Sequence, residues 1–302
     1  MITYRLFNSD FIREKIQDID YEITSYFEFS LTHYASSIIE NTLTFAETEF
    51  YFNKALNNKN INCIITTKNY VSLNASKSCI ITDYPKLLFF RIHQEIAKQY
   101  DSKQKNEIST FAEIHPTAII GENVHIGAYT KIGPYSIINN NTYIGNNVII
   151  EDNVTIGARG LNNTLINNTF LKVPDLGYTI IGDNVEILSK SIIQKPYFLT
   201  STKLENGVHI SVAVVIGHDC KIGENTIIAG KASIAGFTYI GKNVWVGPNA
   251  VVSNLLTIDD FVKISIGSCV VTNIKENQIY SGNFAMPHTK NMKRFIKELK
   301  ND

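Results

Sequence analysis

The sequence lacks any excess of charge of one sign. Its 302 residues include 28 basic and 28 acidic side chains, so the formal net charge is zero. Proteins that bind nucleic acid through its phosphates normally present a basic surface, and this balance argues against nucleic acid as a partner. The hydrophobic share of 44% is that of a globular protein, and the length is sufficient for two domains.

Cysteine is scarce, and its spacing points to no special chemistry. The four cysteines are Cys63, Cys79, Cys220 and Cys269. Their intervals match neither a metal-binding pattern nor a disulfide framework. We therefore expect reduced thiols and no bound metal.

A long apolar run is also missing. No apolar stretch approaches the length of a transmembrane helix, and the first residues, MITYRLFNSDFIREK, carry charges where a signal peptide has its apolar segment. The expectation is a cytoplasmic protein without membrane insertion.

The sequence does contain a repeat of six residues. An aliphatic residue stands at every sixth position from Ile114 to Ile156; the phase is then lost, resumes near Ile181 and Ile187, and holds from Leu204 to Val270. Neither a helix, with a period of 3.6, nor plain alternation explains this spacing. Six residues fit one short strand and its corner, and three such units close a triangular turn whose successive layers stack at about 4.8 Å. The repeat predicts a mainly β fold, a parallel β-helix with isoleucine in its interior.

The extent of the repeat predicts three parts. Residues 1–105 have no period of six and are expected to form an α/β domain. Polar residues 101–110 are expected to link this domain to the β-helix of residues 111–275, whose first repeat position is Ile114, and residues 276–302 to form a short helical cap. Within the first domain, helices are expected at 10–19, 47–56 and 85–99, and buried strands at 62–68 and 78–84.

One interruption of the repeat indicates a loop. Residues 158–179 do not follow the six-residue phase and must leave the prism. A loop on a rigid scaffold is a common place for specificity, and a tolerated insertion is the alternative.

One histidine occupies an unusual place in the repeat. His218 stands two positions after the repeat residue Ile216, where the chain turns a corner, so its imidazole is expected to point away from the interior. An imidazole with a pKa near ~6.5 can accept a proton at neutral pH. Gly236 lies one full turn later, which places its backbone N–H beside the imidazole. The alternative is that His218 is an inert exposed side chain.

A segment of the first domain carries a family resemblance. Residues 43–56, LTFAETEFYFNKAL, resemble the uridine-binding segment of the UDP-3-O-acylglucosamine N-acyltransferases of lipid A synthesis. The resemblance implies that Phe45 and Tyr51 contact the base, and stacking on a nucleobase contributes about 1 to 3 kcal/mol per ring. Thr48 stands where that family has asparagine. The alternative is that both aromatics are core residues.

The histidine segment resembles two families. Residues 216–230, IGHDCKIGENTIIAG, are similar to the lipid A enzymes and to the acetyltransferases that modify nucleotide-linked amino sugars for surface glycans. The resemblance implies a left-handed β-helix and a homotrimer with sites between subunits. It implies that His218 is the general base for an amine that attacks a thioester, that Asp219 orients this base, and that the Gly236 amide stabilises the oxyanion.

A third hexapeptide family has a different chemistry. Hexapeptide carbonic anhydrases bind zinc through three histidines, including two that lie five residues apart. No two histidines of this sequence have that spacing, so zinc chemistry is disfavoured.

Several positions depart from the lipid A family. Arg159, Gly160, Leu161 and Asn162 replace a glycine-rich turn, Ser211 and Val212 replace an Asp-Asn pair, and Leu255 replaces a second active-site histidine. These departures favour a short acyl-CoA as donor.

The sequence therefore predicts an N-acyltransferase that transfers an acyl group from acyl-CoA to the amine of a nucleotide-linked amino sugar for bacterial surface glycan synthesis. Two alternatives remain open. One is the lipid A enzyme itself, with an acyl carrier protein as donor, and the other is a non-catalytic scaffold that binds a nucleotide sugar.

Overall fold

The first hundred residues form an α/β unit around a five-stranded sheet. The computed structural model describes residues 4–71, 76–100, 105–161, 163–166, 168–282 and 286–299. The sheet strands, from edge to edge, are Glu22–Ile23, Ser78–Ile81, Ile61–Thr66, Thr42–Ala46 and Leu31–Thr32. The first pair is antiparallel and the others are parallel. A separate antiparallel ladder joins Phe7–Asn8 to Glu28–Phe29.

Three helices belong to this unit: α1 (Ser9–Lys15), α2 (Glu49–Asn57) and α3 (Pro85–Gln99), with a 3-10 turn at Lys68–Tyr70. The side chains of Asn8 and Thr48 accept backbone N–H groups at the starts of α1 and α2, and proline begins α3. The predicted helices are present, although α1 ends at Lys15 and not at Ile19. The apolar face of α3 is buried against the sheet, as its spacing of apolar residues predicts.

The repeat forms a left-handed parallel β-helix with three sheets. Consecutive partners in a regular ladder lie 18 residues apart, as for Ile216 and Ile234. The repeat isoleucines fill one continuous buried core inside the prism. The first sheet contains Ile119–Ile120, Ile137–Ile138, Thr155–Ala158, Ile192–Gln194, Val215–Ile216, Ser233–Ile234, Val251–Val252 and Cys269–Val270. The second contains Glu107–Ile108, Val124–Ile126, Thr142–Ile144, Tyr178–Ile181, Ser201–Leu204, Lys221–Ile222, Tyr239–Ile240 and Thr257–Ile258. The third contains Glu113–Ile114, Lys131–Ile132, Ile149–Ile150, Glu186–Ile187, His209–Ile210, Ile227–Ile228, Trp245–Val246, Lys263–Ile264 and Ile279–Tyr280.

The first strand of the β-helix lies within the expected linker of residues 101–110. This strand, Glu107–Ile108, pairs in parallel with His125 and Ile126. The side-chain oxygen of Asn106 also accepts the N–H of Val124 at 2.9 Å. The expected linker therefore contributes a strand from its polar residues, and its residues 101–104 lie outside the described part of the chain.

Two insertions interrupt the prism. The first insertion, residues 159–177, contains the antiparallel hairpin Asn163–Ile166 and Thr169–Lys172, which confirms that this segment leaves the repeat. The second insertion, residues 195–199, was not predicted; it adds five residues to the interval between the partners Tyr178 and Ser201. Both insertions leave from one corner, because the strands that precede them end in the paired residues Ala158 and Gln194.

The second insertion fastens the β-helix to the α/β unit. Its residues Tyr197, Phe198 and Leu199 are buried in the same apolar cluster as the core of that unit. The Phe198 ring lies 5.1 Å from the ring of Tyr34, and the hydroxyl groups of Tyr34 and Tyr197 are hydrogen-bonded at 2.8 Å. The two parts of the chain therefore share a core.

The C-terminal helix α4 (His288–Leu299) follows the last strand of the prism in the chain. Its described side chains are exposed, and so are both residues of the last strand, Ile279–Tyr280. The cap expected at residues 276–302 stays a prediction. The domain limits at 105 and 275 stay predictions.

Candidate active site

The site is built on the corner between Val215–Ile216 and Lys221–Ile222. Asp219 has a φ of 60° there, a left-handed conformation that aspartate tolerates at turns. This corner brings neighbouring side chains together, and Nδ1 of His218 lies 3.0 Å from Oδ2 of Asp219. The two side chains therefore meet directly, which is the geometry that the proposed orienting role of Asp219 requires.

The carboxylate of Asp219 is held from two sides. The hydroxyl of Thr200 donates a hydrogen bond to Oδ1, while Oδ2 faces the imidazole. The backbone N–H of Asp219 donates to Oγ1 of Thr202 at 2.8 Å. Only 6% of the Asp219 side chain is exposed. A carboxylate oxygen only accepts when ionised, so Nδ1 of His218 carries the hydrogen and Nε2 keeps its lone pair.

Gly236 lies beside this free nitrogen, as the 18-residue spacing predicts. A Cβ built on Gly236 would stand 2.9 Å from both Nε2 and Cε1 of the imidazole, so only glycine leaves the ring its place. The next residue, Phe237, donates its N–H to the carbonyl of His218 at 2.9 Å. In the part of the chain that the structure describes, no acceptor is hydrogen-bonded to the N–H of Gly236.

Aromatic rings surround the imidazole. The ring centroids of Tyr197 and Phe237 lie 5.2 and 5.1 Å from that of His218, with Phe237 edge-on, and 21% of the histidine side chain remains exposed. The expected outward direction is therefore present, but this side of the corner faces other protein groups. The imidazole is partly shielded from water and still accessible to a small reacting group.

A second histidine lies close to this pair. His33 is buried, its ring packs 4.9 Å from Phe198 and 6.0 Å from Phe237, and its Nδ1 has no hydrogen-bond partner. Burial lowers the pKa of His33, and the negative charge of Asp219 opposes this effect. His33 is accordingly neutral at pH 7.

Cys220 follows the histidine–aspartate pair and is not a suitable nucleophile. Its thiol is buried and donates to the carbonyl of Ala235 at 3.1 Å. Burial raises the pKa of the Cys220 thiol to about 12, so the thiolate is not populated near neutral pH.

A cleft of about 560 Å³ connects this neighbourhood to the α/β unit. Both predicted base-contacting residues, Phe45 and Tyr51, line it, and so does Tyr197, whose ring packs against His218. His218, Asp219 and Gly236 are not part of the lining. Further lining residues come from the first insertion, from Leu255 and from two lysines: Leu161, Asn163, Thr164, Val173, Leu255, Lys54 and Lys86.

The two predicted aromatics differ in their surroundings. Phe45 is partly buried, with its ring 4.8 Å from that of Phe89, so it belongs both to the core and to the cleft wall. Tyr51 is 52% exposed on α2 and lines the cleft. Thr48 caps α2 and lines the cleft as well. Among the ring contacts of the described residues, none joins Phe45 to Tyr51.

One departure from the lipid A family has a structural role. Arg159 donates to the carbonyl of Val173 at 3.1 Å and lies 3.6 Å from the carboxylate of Asp175, so it closes the base of the first insertion. Asn162, also at this turn, lies outside the described residues. Leu255 is 64% exposed and stands one turn after Phe237 on the corner of Asp219.

Sequence reasoning missed Tyr197, Thr200 and His33. A signal for Thr200 was available, because it precedes His218 by 18 residues, as Gly236 follows it. Tyr197 and His33 had none, since the contact between insertion and α/β unit depends on tertiary packing. Among the described residues, no group of three possible ligands is placed to hold a metal ion, and no helix is long and apolar enough to cross a membrane.

Comparison with known proteins agrees with the repeat. The family described as bacterial transferase hexapeptide (six repeats) matches residues 123–158. The fold and the histidine corner define a hexapeptide-repeat protein of the acyltransferase class.

Curated relatives narrow this class. The UDP-3-O-acylglucosamine N-acyltransferase of Campylobacter lari is 36% identical over 72% of this chain and 75% of its own length. That of Albidiferax ferrireducens is 37% identical over 74% and 71%. The chain belongs to this family.

Other relatives match over less of their length. The UDP-3-O-acylglucosamine N-acyltransferase of Janthinobacterium sp. is 40% identical over 42% of this chain, which spans only 36% of that protein. All three of these curated relatives favour the lipid A alternative over the glycan enzyme that the sequence predicted first.

Proposed function

We propose that the protein transfers an acyl group from a thioester to the amine of a UDP-linked 3-O-acylglucosamine. The observation that carries this proposal is the cleft. It joins Phe45 and Tyr51, the residues proposed to contact the base, to Tyr197, which packs against the imidazole of His218.

In the proposed reaction His218 is the general base. The amine nitrogen of the sugar attacks the carbonyl carbon of the thioester, and Nε2 accepts the proton that the nitrogen loses. Asp219 holds Nδ1–H and stabilises the imidazolium. The Gly236 N–H donates to the oxyanion. The carbon–sulfur bond then breaks, and the imidazolium returns its proton to the leaving thiolate, which yields an amide and a free thiol.

The proposed acceptor follows from the relatives and from the cleft. The two relatives that match most of this chain are named for UDP-3-O-acylglucosamine. Phe45 and Tyr51 contribute two aromatic side chains to the cleft and have no contact with each other among the described rings, which is compatible with a base between them. Lys54 and Lys86 line the same cleft and suit the negative charge of a diphosphate.

The donor is proposed to be a thioester on a phosphopantetheine arm. This chemistry is common to acyl-CoA and to acyl carrier protein. The resemblance to the lipid A family implies an acyl carrier protein as donor, whereas the replaced turn at residues 159–162 and Leu255 in place of the second histidine motivate the test with short acyl-CoA.

Purified protein incubated with donor and acceptor tests the proposal by mass spectrometry. We expect an N-acylated product from UDP-3-O-acylglucosamine, and none from the same nucleotide sugar with its amine already acetylated. Donors to compare are acetyl-CoA, longer acyl-CoAs and a hydroxymyristoyl carrier protein. Absence of product with every donor would overturn the proposal and leave the nucleotide-sugar scaffold.

A second candidate is the short-chain N-acylation of an amino sugar without an O-linked acyl group. The observation that favours it is the 3.0 Å contact of His218 with Asp219, because the segment that contains both residues also resembles the glycan acetyltransferases. Faster turnover with acetyl-CoA and a non-acylated nucleotide amino sugar would select this candidate.

We also propose that the protein is a homotrimer. The outer surface of the prism, corners included, carries large exposed apolar side chains, and burial in a threefold assembly would remove them from water: Ile119, Tyr129, Tyr135, Leu255, Ile266 and Val271. Light scattering at micromolar concentration should give three times the mass of the 34.0 kDa chain. A monomeric mass would contradict the proposal.

A further inference from the structure

We propose that Thr200 is a positioning residue for the general base. Its hydroxyl holds the carboxylate of Asp219 so that the imidazole of His218 keeps its hydrogen on Nδ1 and presents Nε2 to the substrate. This inference rests on the proposed function for its kinetic consequence only.

The two oxygens of the Asp219 carboxylate have different hydrogen-bond partners. Oδ1 of Asp219 accepts from the Thr200 hydroxyl, and Oδ2 accepts from Nδ1 of His218. Because the two oxygens are fixed to one another, a hydrogen bond at Oδ1 determines the plane in which Oδ2 meets the ring. Without it, rotation about the Cβ–Cγ bond of Asp219 is free to break the contact with His218.

Thr200 is itself held in place. Its N–H donates to the carbonyl of Phe198 at 2.8 Å, and its carbonyl accepts from the N–H of Tyr178 at 2.9 Å. The hydroxyl also lies 3.5 Å from the Phe198 carbonyl, a longer and weaker alternative to the carboxylate. The backbone therefore presents the hydroxyl to Asp219 in a fixed geometry.

The second insertion is what gives Thr200 this fixed position. The five inserted residues end at Leu199, and Thr200 then occupies the corner place directly one turn before His218. Tyr197 and Phe198, within the insertion, are anchored in the core shared with the α/β unit. Through these contacts, docking of that unit on the β-helix is coupled to the geometry of the base.

The other groups around Asp219 do not supply the same constraint. His33 lies close enough for its pKa to respond to the charge of Asp219, but no hydrogen bond joins the two side chains among the contacts of the described residues. Thr202 accepts from the backbone of Asp219 and leaves its carboxylate free to rotate. Thr200 is the hydroxyl that contacts the carboxylate directly.

The test compares Thr200→Val, which keeps the shape and removes the hydroxyl, with Thr200→Ser, which keeps the hydroxyl. In protein labelled with 15N-histidine, solid-state NMR above pH 8 reports the tautomer of His218, whose signal is assigned by its loss in His218→Gln. We expect the wild type and Thr200→Ser to show the Nδ1–H tautomer alone. Thr200→Val should show a mixture with the Nε2–H form.

Steady-state kinetics of the same variants should agree with the NMR result. We expect Thr200→Val to lower kcat by about tenfold with KM changed less than twofold, and Thr200→Ser to stay within about threefold of the wild type. If Thr200→Val does not fold, Thr200→Ala takes its place in both arms.

The two arms separate this inference from the proposed function. An unchanged tautomer after loss of the hydroxyl overturns the inference whatever the rate, and so does a changed tautomer with full kcat. If the wild type acylates no acceptor, the proposed function fails, and the tautomer alone decides whether Thr200 positions His218.

Discussion

The regular turns of the prism and its two insertions are built by different rules. From Leu204 to Val270 each strand depends on neighbours 18 residues away, and the core consists of repeated isoleucines. The insertions, residues 159–177 and 195–199, leave from one corner and contact the α/β unit. The regular turns thus repeat one pattern of pairing, whereas the insertions create the contacts that distinguish this corner. The difference shows that the scaffold is repetitive and the site is not.

The first test of this comparison lowers the pH and measures the stability of the fold, because the first insertion is hydrogen-bonded to a buried histidine. His93 on α3 is fully buried; its Nε2–H donates to the carbonyl of Pro174 in the first insertion at 3.1 Å, and Nδ1 accepts from the hydroxyl of Thr32. Burial lowers the pKa of His93 to about 4. As pH falls below ~6.5, the unfolded chain binds a proton that the folded one refuses. Stability is therefore lost between these two values, by about 3 kcal/mol at pH 4.

Urea unfolding at pH 7 and pH 4, followed by near-ultraviolet circular dichroism of the aromatic-rich α/β unit, measures this loss. His93→Gln serves as the control, because its amide can replace both hydrogen bonds and does not titrate. We expect the variant to lose about 3 kcal/mol less than the wild type over this range. An equal loss in both proteins would assign the acid sensitivity to other groups.

The second experiment removes the proposed base. His218→Ala should lower kcat by about 100-fold or more and leave the KM for the nucleotide sugar nearly unchanged. The matched control is His209→Ala on a regular turn, where Nδ1 also faces a carboxylate, Oε2 of Glu186, at 3.0 Å. We expect full activity from the control. Comparable losses in both variants would mean that the corner of His218 has no special role.

This contrast also explains how much of the molecule the sequence predicts. The spacing of six predicts the prism, the corner of His218 and the stacking of Gly236, because neighbours in a repeat are fixed by counting. It predicts the first insertion as an interruption, but it does not predict the hairpin or the surface that the hairpin contacts. The second insertion escapes notice because five extra residues disturb the phase only briefly, and Tyr197 and His33 meet His218 through packing between distant segments.

Substitution of Gly236 tests the corner of His218 separately from the rest of the prism. Gly236→Ala places a Cβ 2.9 Å from two atoms of the imidazole, which must move, and we expect kcat to fall by about tenfold or more. Gly230→Ala is the control, since its added Cβ meets nothing closer than 3.4 Å and neither glycine has a left-handed backbone. Melting temperatures should show that both variants are stable, and steady-state kinetics should show that only Gly236→Ala is slow. Full activity of Gly236→Ala would contradict the close approach of substrate to Nε2.

The smallest effect concerns the far end of the cleft. Tyr51→Ala should raise the KM for the nucleotide sugar by roughly five- to tenfold and leave kcat unchanged. The reason is that a contact with the nucleobase is remote from the amine and stabilises substrate and transition state equally. Phe50→Ala is the control: its side chain is 70% exposed on the same helix and does not line the cleft. Phe45→Ala should raise KM as well, but it should also lower the melting temperature, since the Phe45 ring packs on Phe89. A normal KM in both Tyr51→Ala and Phe45→Ala would mean that these aromatics have a purely structural role. The nucleobase would then have to bind elsewhere in the cleft.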